Sequence, residues 1–196
     1  MKLIDESRLE IDLAYRFEYL AEFIGFTSDD SMTILSAGPY LGPLIPALVD
    51  KTYERLLAYT CTARHFVARQ AGFDGATPAD VTELTAEHPQ IQFRKEHLVR
   101  YFTHLLTHNH DARLSPYLDM VGKIHTPAAG NPEIAIPQIH MNALMGLMGE
   151  VLQDVVHTLP LSQDEQRTLS RALGRLLWIQ NDFINRHFTG DAVRGK

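Results

Sequence analysis

Ten histidines stand out in this sequence, and one of them closes an apolar helical face. His125 follows Tyr117, Leu118 and Val121 at offsets of 8, 7 and 4, so all four fall on one side of a helix. An imidazole projecting from an apolar face can serve as the axial ligand of a haem lying against that face. Iron ligation needs the neutral imidazole, and apolar surroundings keep it neutral. The same residue also reads as a histidine in the last turn of a helix, complementing the dipole and capping carbonyls. Spacing alone leaves both readings open.

His97, His104 and His108 share another helical face, at offsets of 7 and 4. Two histidines at i, i+4 can bind zinc, and His110 is a conceivable third ligand. No carboxylate sits at ligand spacing on that face, so solvated or hydrogen-bonded histidines are expected there. His140, His157 and His187 have no discriminating context. Tyr53 lies on a face with Val49, Leu56 and Leu57. It is either a core tyrosine whose hydroxyl finds a partner, or a hydrogen-bond donor to a ligand in the same cavity. There is no Gly-rich phosphate loop, GxSxG elbow or HExxH. Cys61, the single cysteine, allows no internal disulfide and reads as a buried structural thiol. Asp29-Asp30 opens a helix, where carboxylates belong.

The elements that position these residues are helical throughout. Apolar residues recur at helical spacing over 9–24. Thr27 with Asp30 signals a short helix to about 35, followed by a turn at Gly38-Pro39. A longer helix is expected over 41–66, with Pro43 and Pro46 in its first turns. The stretch 71–90 reads as an irregular connection with one short helix from Pro78 to about 86. Helical spacing returns at Phe93, and a further helix carries Leu114 to His125, ended by Thr126-Pro127. The helix expected over 133–158 is apolar on more than one face, so it is central or shared with a partner. Ser162 and Glu165 form a capping box for a last helix over 163–187. No segment alternates long enough to be a strand. The class is all-α, one domain over 1–196, with 189–196 expected to be a disordered tail.

Composition narrows the function. The chain has 196 residues, 45% hydrophobic and 21% charged, ordinary for a folded domain. Its formal net charge of −6 disfavours a nucleic-acid or anionic-membrane surface. No unbroken apolar run reaches the ~18 residues of a membrane span, and the acidic start Asp5-Glu6 has no secretory apolar region. A reducing cytoplasm is the expected compartment. No nucleic acid and no membrane are expected as partners.

With these residues placed, the chain resembles the protoglobins, single-domain relatives of the globin domain of globin-coupled sensors. Arg16-Phe17-Glu18-Tyr19-Leu20 through Phe26-Thr27-Ser28-Asp29-Asp30 resembles the extra N-terminal helix and the start of helix A. Tyr53 falls on the distal tyrosine of helix B. The family's preceding tryptophan is Thr52 here, a departure that opens the distal side. Arg100-Tyr101 resembles the E-helix segment facing the haem, with Tyr101 in the place of a distal phenylalanine. His97 then lies where ordinary globins put a distal histidine. Val121-Gly122-Lys123-Ile124-His125 resembles the F-helix segment ending in the proximal histidine. Ile136-Pro137-Gln138-Ile139 resembles the start of helix G, after which Leu144 and Leu147 face the haem. The connection 71–90 is longer than the family leads one to expect.

The resemblance implies a globin-like helical sandwich with an added N-terminal helix, binding one haem b (iron protoporphyrin IX). It implies His125 as the iron ligand and Tyr53 as donor to the gas ligand. His97 is an assistant or a sixth ligand, and Arg100 a propionate holder. The expected function is reversible binding of O2, CO or NO for sensing or scavenging, in a homodimer formed through the last two helices. Because no output domain follows, a separate signalling or reductase partner is expected. The alternatives are a haem enzyme (peroxidase-like, NO dioxygenase or carbene transfer) and a haem-free helical interaction module.

Overall fold

The computed structural model describes residues 1–188; the expected tail, 189–196, lies outside the described residues. No described residue is in a strand, as the all-α reading requires. Asp12 splits the first expected helix in two. It ends α1 (Glu6–Ile11) and caps α2 (Leu13–Ile24), accepting from the Tyr15 amide. Gly25 then takes a left-handed φ of 79°, a conformation open to glycine at little cost.

The Thr27–Asp30 capping box starts α3 (Ser28–Leu41), which runs six residues past its expected end and through Pro39. Proline at that point removes one helical hydrogen bond, but Ile34, Ala37 and Leu41 are all in the core and hold the helix on both sides. After a short 3-10 turn, α4 (Ile45–Leu57) carries Val49, Thr52 and Tyr53 on its buried side. The long helix expected to reach 66 breaks at Ala58, and only α5 (Thr60–Ala63) and a 3-10 turn follow. Cys61 there is exposed, not buried, because that short turn presents it outward.

The connection is irregular as expected, but its helix is only a 3-10 turn, Val81–Glu83. Pro89 is the first residue of α6 (Pro89–Thr107), capped by the His88 side chain. α7 (Ser115–Lys123) ends just before His125. Residues 133–137 are not helical, because Pro137 defers the start of α8 (Gln138–Thr158). The Ser162–Glu165 capping box starts α9 (Gln163–Asn185).

α9 is the central strut. It packs against α2, α3, α7 and α8, while α4 lies on α6. Leu169, Ala172, Leu176, Ile179 and Phe183 are its nearly inaccessible stripe. Two ion pairs lock it: Arg16 to Asp182, and Arg175 to both oxygens of the buried Asp30 at 3.0 and 2.8 Å. The helical stretch Ser28–Leu57 contains one 18-residue window that is apolar enough by composition to cross a membrane. A search for unbroken apolar runs misses it, since polar residues interrupt it. Its Ile34, Leu41, Ile45, Leu48 and Val49 are buried within the fold.

Candidate functional site

The site is a cavity of about 310 Å3 between α4, α6, α7, α8 and α9, in the size class of cofactor sites, roughly 300–1,000 Å3. Its wall is mostly apolar. α8 contributes Met141, Leu144, Met145 and Met148, α6 contributes Leu98 and Phe102, and α9 contributes Leu177 and Ile184. A smaller apolar void of about 40 Å3 shares Phe102, Leu177 and Gln180 with it.

His125 lines this cavity. Its Nδ1 lies 2.7 Å from the Val121 carbonyl. A carbonyl only accepts, so Nδ1 carries the proton and the Nε2 lone pair is left unprotonated. Nε2 makes no hydrogen bond to a described residue. Burial pushes the imidazole pKa below its ordinary value, more than the Val121 bond raises it. The ring is therefore neutral, with one nitrogen available as a ligand. The backbone is fixed on both sides: Ile136 N donates to His125 O at 3.1 Å, and α7 is pressed onto α9 at Gly122. A Cβ on Gly122 would stand 2.5 Å from the Phe183 carbonyl oxygen, so only glycine permits that approach.

On the α4 side, Tyr53 is 6% exposed and lines the same cavity. Its hydroxyl has no hydrogen-bond partner among the described residues. Burial pushes its pKa up to about 12, so it keeps its proton at neutral pH. Thr52 also lines the cavity, but its hydroxyl donates back to Leu48 O at 2.8 Å.

Of the remaining expected site residues, Val121, Leu144, Tyr101 and His97 line the cavity. The Tyr101 hydroxyl donates to Gln180 Oε1 at 2.5 Å, and burial raises its pKa. His97 sits at the exposed rim, with Nδ1 on its own helix at Phe93 O, 2.9 Å away. Arg100 and Leu147 are not part of the wall. Arg100 is on the outer side of α6, its side chain 60% exposed and 4.0 Å from Glu96. Leu147 packs instead against the cluster of Leu48, Met148 and Val151. The reason is helical phase. Tyr101 and Leu98 face the cavity, and position 100 is rotated about 200° from position 98 at 100° per residue. Stepping back from Tyr101 by seven reaches Arg94, which does line the cavity. That step of seven is the signal in the sequence that marks Arg94.

The other histidines do not form a metal centre. His104 and His108 stack at 3.8 Å. His110 turns inward, its Nε2 donating to Leu105 O at 2.6 Å while Nδ1 accepts from Ser31 Oγ. Among the described residues no group of three or more His, Cys, Asp or Glu is placed to hold a metal ion.

A neutral imidazole facing an apolar cavity, with a buried unpartnered hydroxyl on another wall, fits a haem pocket. Comparison with known proteins points the same way. The Protoglobin family profile matches residues 13–193. Among solved structures, the chain is similar to the globin domain of the Geobacter sulfurreducens globin-coupled sensor. The TM-score is 0.68 and the identity 18%, over 88% of this chain and 97% of that one. At that identity the likeness shows the fold, which is that of a globin domain. No curated protein matches the chain.

Proposed function

The chain belongs to the protoglobin family, which implies a globin-type haem protein, and from that premise we propose that its cavity takes one haem b and reversibly binds a diatomic gas: O2, CO or NO. When bound, the haem supplies an iron with a coordination position open to the gas. His125 Nε2 holds that iron, and the Val121 carbonyl fixes the ring's tautomer and orientation. The thioether and leucine wall of α8 excludes water. Tyr53 donates a hydrogen bond to the bound gas, favouring O2, the more polarised ligand, over CO. The small apolar void beside the site is suited to an apolar gas molecule.

The observation that carries this reading is the juxtaposition of His125 and Tyr53 on one apolar cavity, each with a polar atom that no described residue satisfies. The test is reconstitution with hemin, followed by reduction and gas titration. We expect a Soret band that shifts on CO addition, and reversible O2 binding. Protein that gains no Soret band with hemin would refute the proposal.

A homodimer through α8 and α9 is part of the same reading. Ile139 on α8 and Trp178 on α9 are 71% and 66% exposed, and no atom crowds Gly146 or Gly174. The exposed thiol of Cys61 supports a reducing cytoplasm.

A further inference from the structure

Arg94 is a charged residue of the cavity wall that the gas-binding reading does not use. We propose that its guanidinium makes the side of the cavity shared with Tyr53 a binding site for a small inorganic anion, of which azide and fluoride are the probes. This rests on the haem reading, since the anion would be the ligand of the ferric protein.

Arg94 lines the cavity from α6, one turn before Leu98 and two before Tyr101. Its guanidinium carbon stands 5.1 Å from the centre of the Phe66 ring, and that ring is 5.6 Å from the Tyr53 ring. Arg94 and Tyr53 therefore occupy one corner. The arginine's partners are incomplete. Nη2 donates to Ala68 O at 3.1 Å, Nε is enclosed with no acceptor, and Nη1 makes no hydrogen bond to a described residue. No described carboxylate pairs with it. Arg16 and Arg175, comparably withdrawn from solvent, pair with Asp182 and Asp30. Burial of Arg94 also lowers its pKa, with the Tyr53 hydroxyl the one group opposing that.

A desolvated cation without a counter-ion is costly, and such groups gather at functional sites. The segment against which Arg94 lies is itself held in place. Gln90, fully buried, donates to Phe66 O at 2.7 Å and Ala68 O at 3.1 Å, clamping to α6 the segment on which Arg94 rests. The guanidinium lies against that clamped segment, and no described carboxylate pairs with it. Tyr53 adds a neutral donor beside it. A cation plus a hydroxyl donor suits an anion better than a neutral gas.

Azide and fluoride titrations of the ferric holoprotein test this, using wild type, Arg94→Leu, Arg94→Gln, Arg94→Lys and the surface control Arg100→Leu. We expect both Arg94 neutralisations to weaken anion binding about ten-fold or more. Arg94→Lys should recover part of the affinity, and Arg100→Leu should leave it unchanged. CO affinity of the ferrous protein should change less than two-fold, roughly, because CO carries no charge. Having two neutral variants keeps the test decisive if one fails to fold. Equal azide affinity in wild type and a folded, haem-loaded neutral variant would overturn the proposal while leaving the haem reading intact. Failure of wild type to take up haem would overturn both. Reconstitution with haem dimethyl ester separates the remaining anion source, a haem propionate. If the Arg94 dependence of azide binding persists, the anion is exogenous. If it vanishes, and neutralising Arg94 instead speeds loss of unesterified haem, Arg94 holds a propionate and the proposal fails.

Discussion

His125 Nδ1 donates to Val121 O at 2.7 Å, across one turn at the end of α7. That bond fixes which nitrogen carries the proton and leaves Nε2 as a lone pair on an apolar cavity. His110, buried elsewhere in the core, instead uses both nitrogens.

Tyr53→Phe removes a hydroxyl donor that no described residue engages, while keeping the ring that packs on Phe66. A hydrogen bond of net ~1 kcal/mol changes an off-rate several-fold. Stopped-flow displacement of O2 should show a several-fold faster off-rate, with CO affected less. An unchanged O2 off-rate would mean the hydroxyl does not reach the ligand.

Gly122→Ala places a methyl 2.5 Å from Phe183 O and 2.9 Å from Ile184 Cα, both backbone. Neither can yield without moving α7 from α9. Overpacking of this kind costs about 1–3 kcal/mol, and the shift carries His125 with it. Thermal melts of the apoprotein should fall, and haem should be lost faster to an acceptor globin. A variant as stable and as retentive as wild type would contradict the close approach.

His110 should make stability sensitive to acid. Burial holds its pKa below the ordinary value in the folded state, whereas the unfolded chain titrates near 6.5. As pH falls below about 6.5 the unfolded state takes up the proton first, so stability is full above that pH and is lost on acidification. Denaturant melts between pH 7.5 and 5 should show this loss, and His110→Gln should flatten the acid slope while lowering stability at neutral pH.

The capping boxes Thr27–Asp30 and Ser162–Glu165 were legible because both halves of each lie within four residues. The His125 face was legible because four residues share one helical phase. Pro39, expected in a turn, is instead carried inside α3 by core contacts that the sequence does not display. Arg100 and Arg94 differ by six positions, which is not a whole number of turns, so only the correct phase of α6 tells them apart. The resemblance placed Tyr101 and His97 on the side that lines the cavity, but it carried the neighbouring Arg100 along with them, and the Phe66–Gln70 segment clamped by Gln90 could not be foreseen from residues 20 positions away.

The most direct test is the absorption spectrum of wild type and His125→Gly after hemin addition, with and without free imidazole. The account predicts a histidine-ligated spectrum in wild type, its loss in the variant, and its return when imidazole fills the vacated space. A His125→Gly protein with the wild-type haem content and spectrum, indifferent to imidazole, would contradict it.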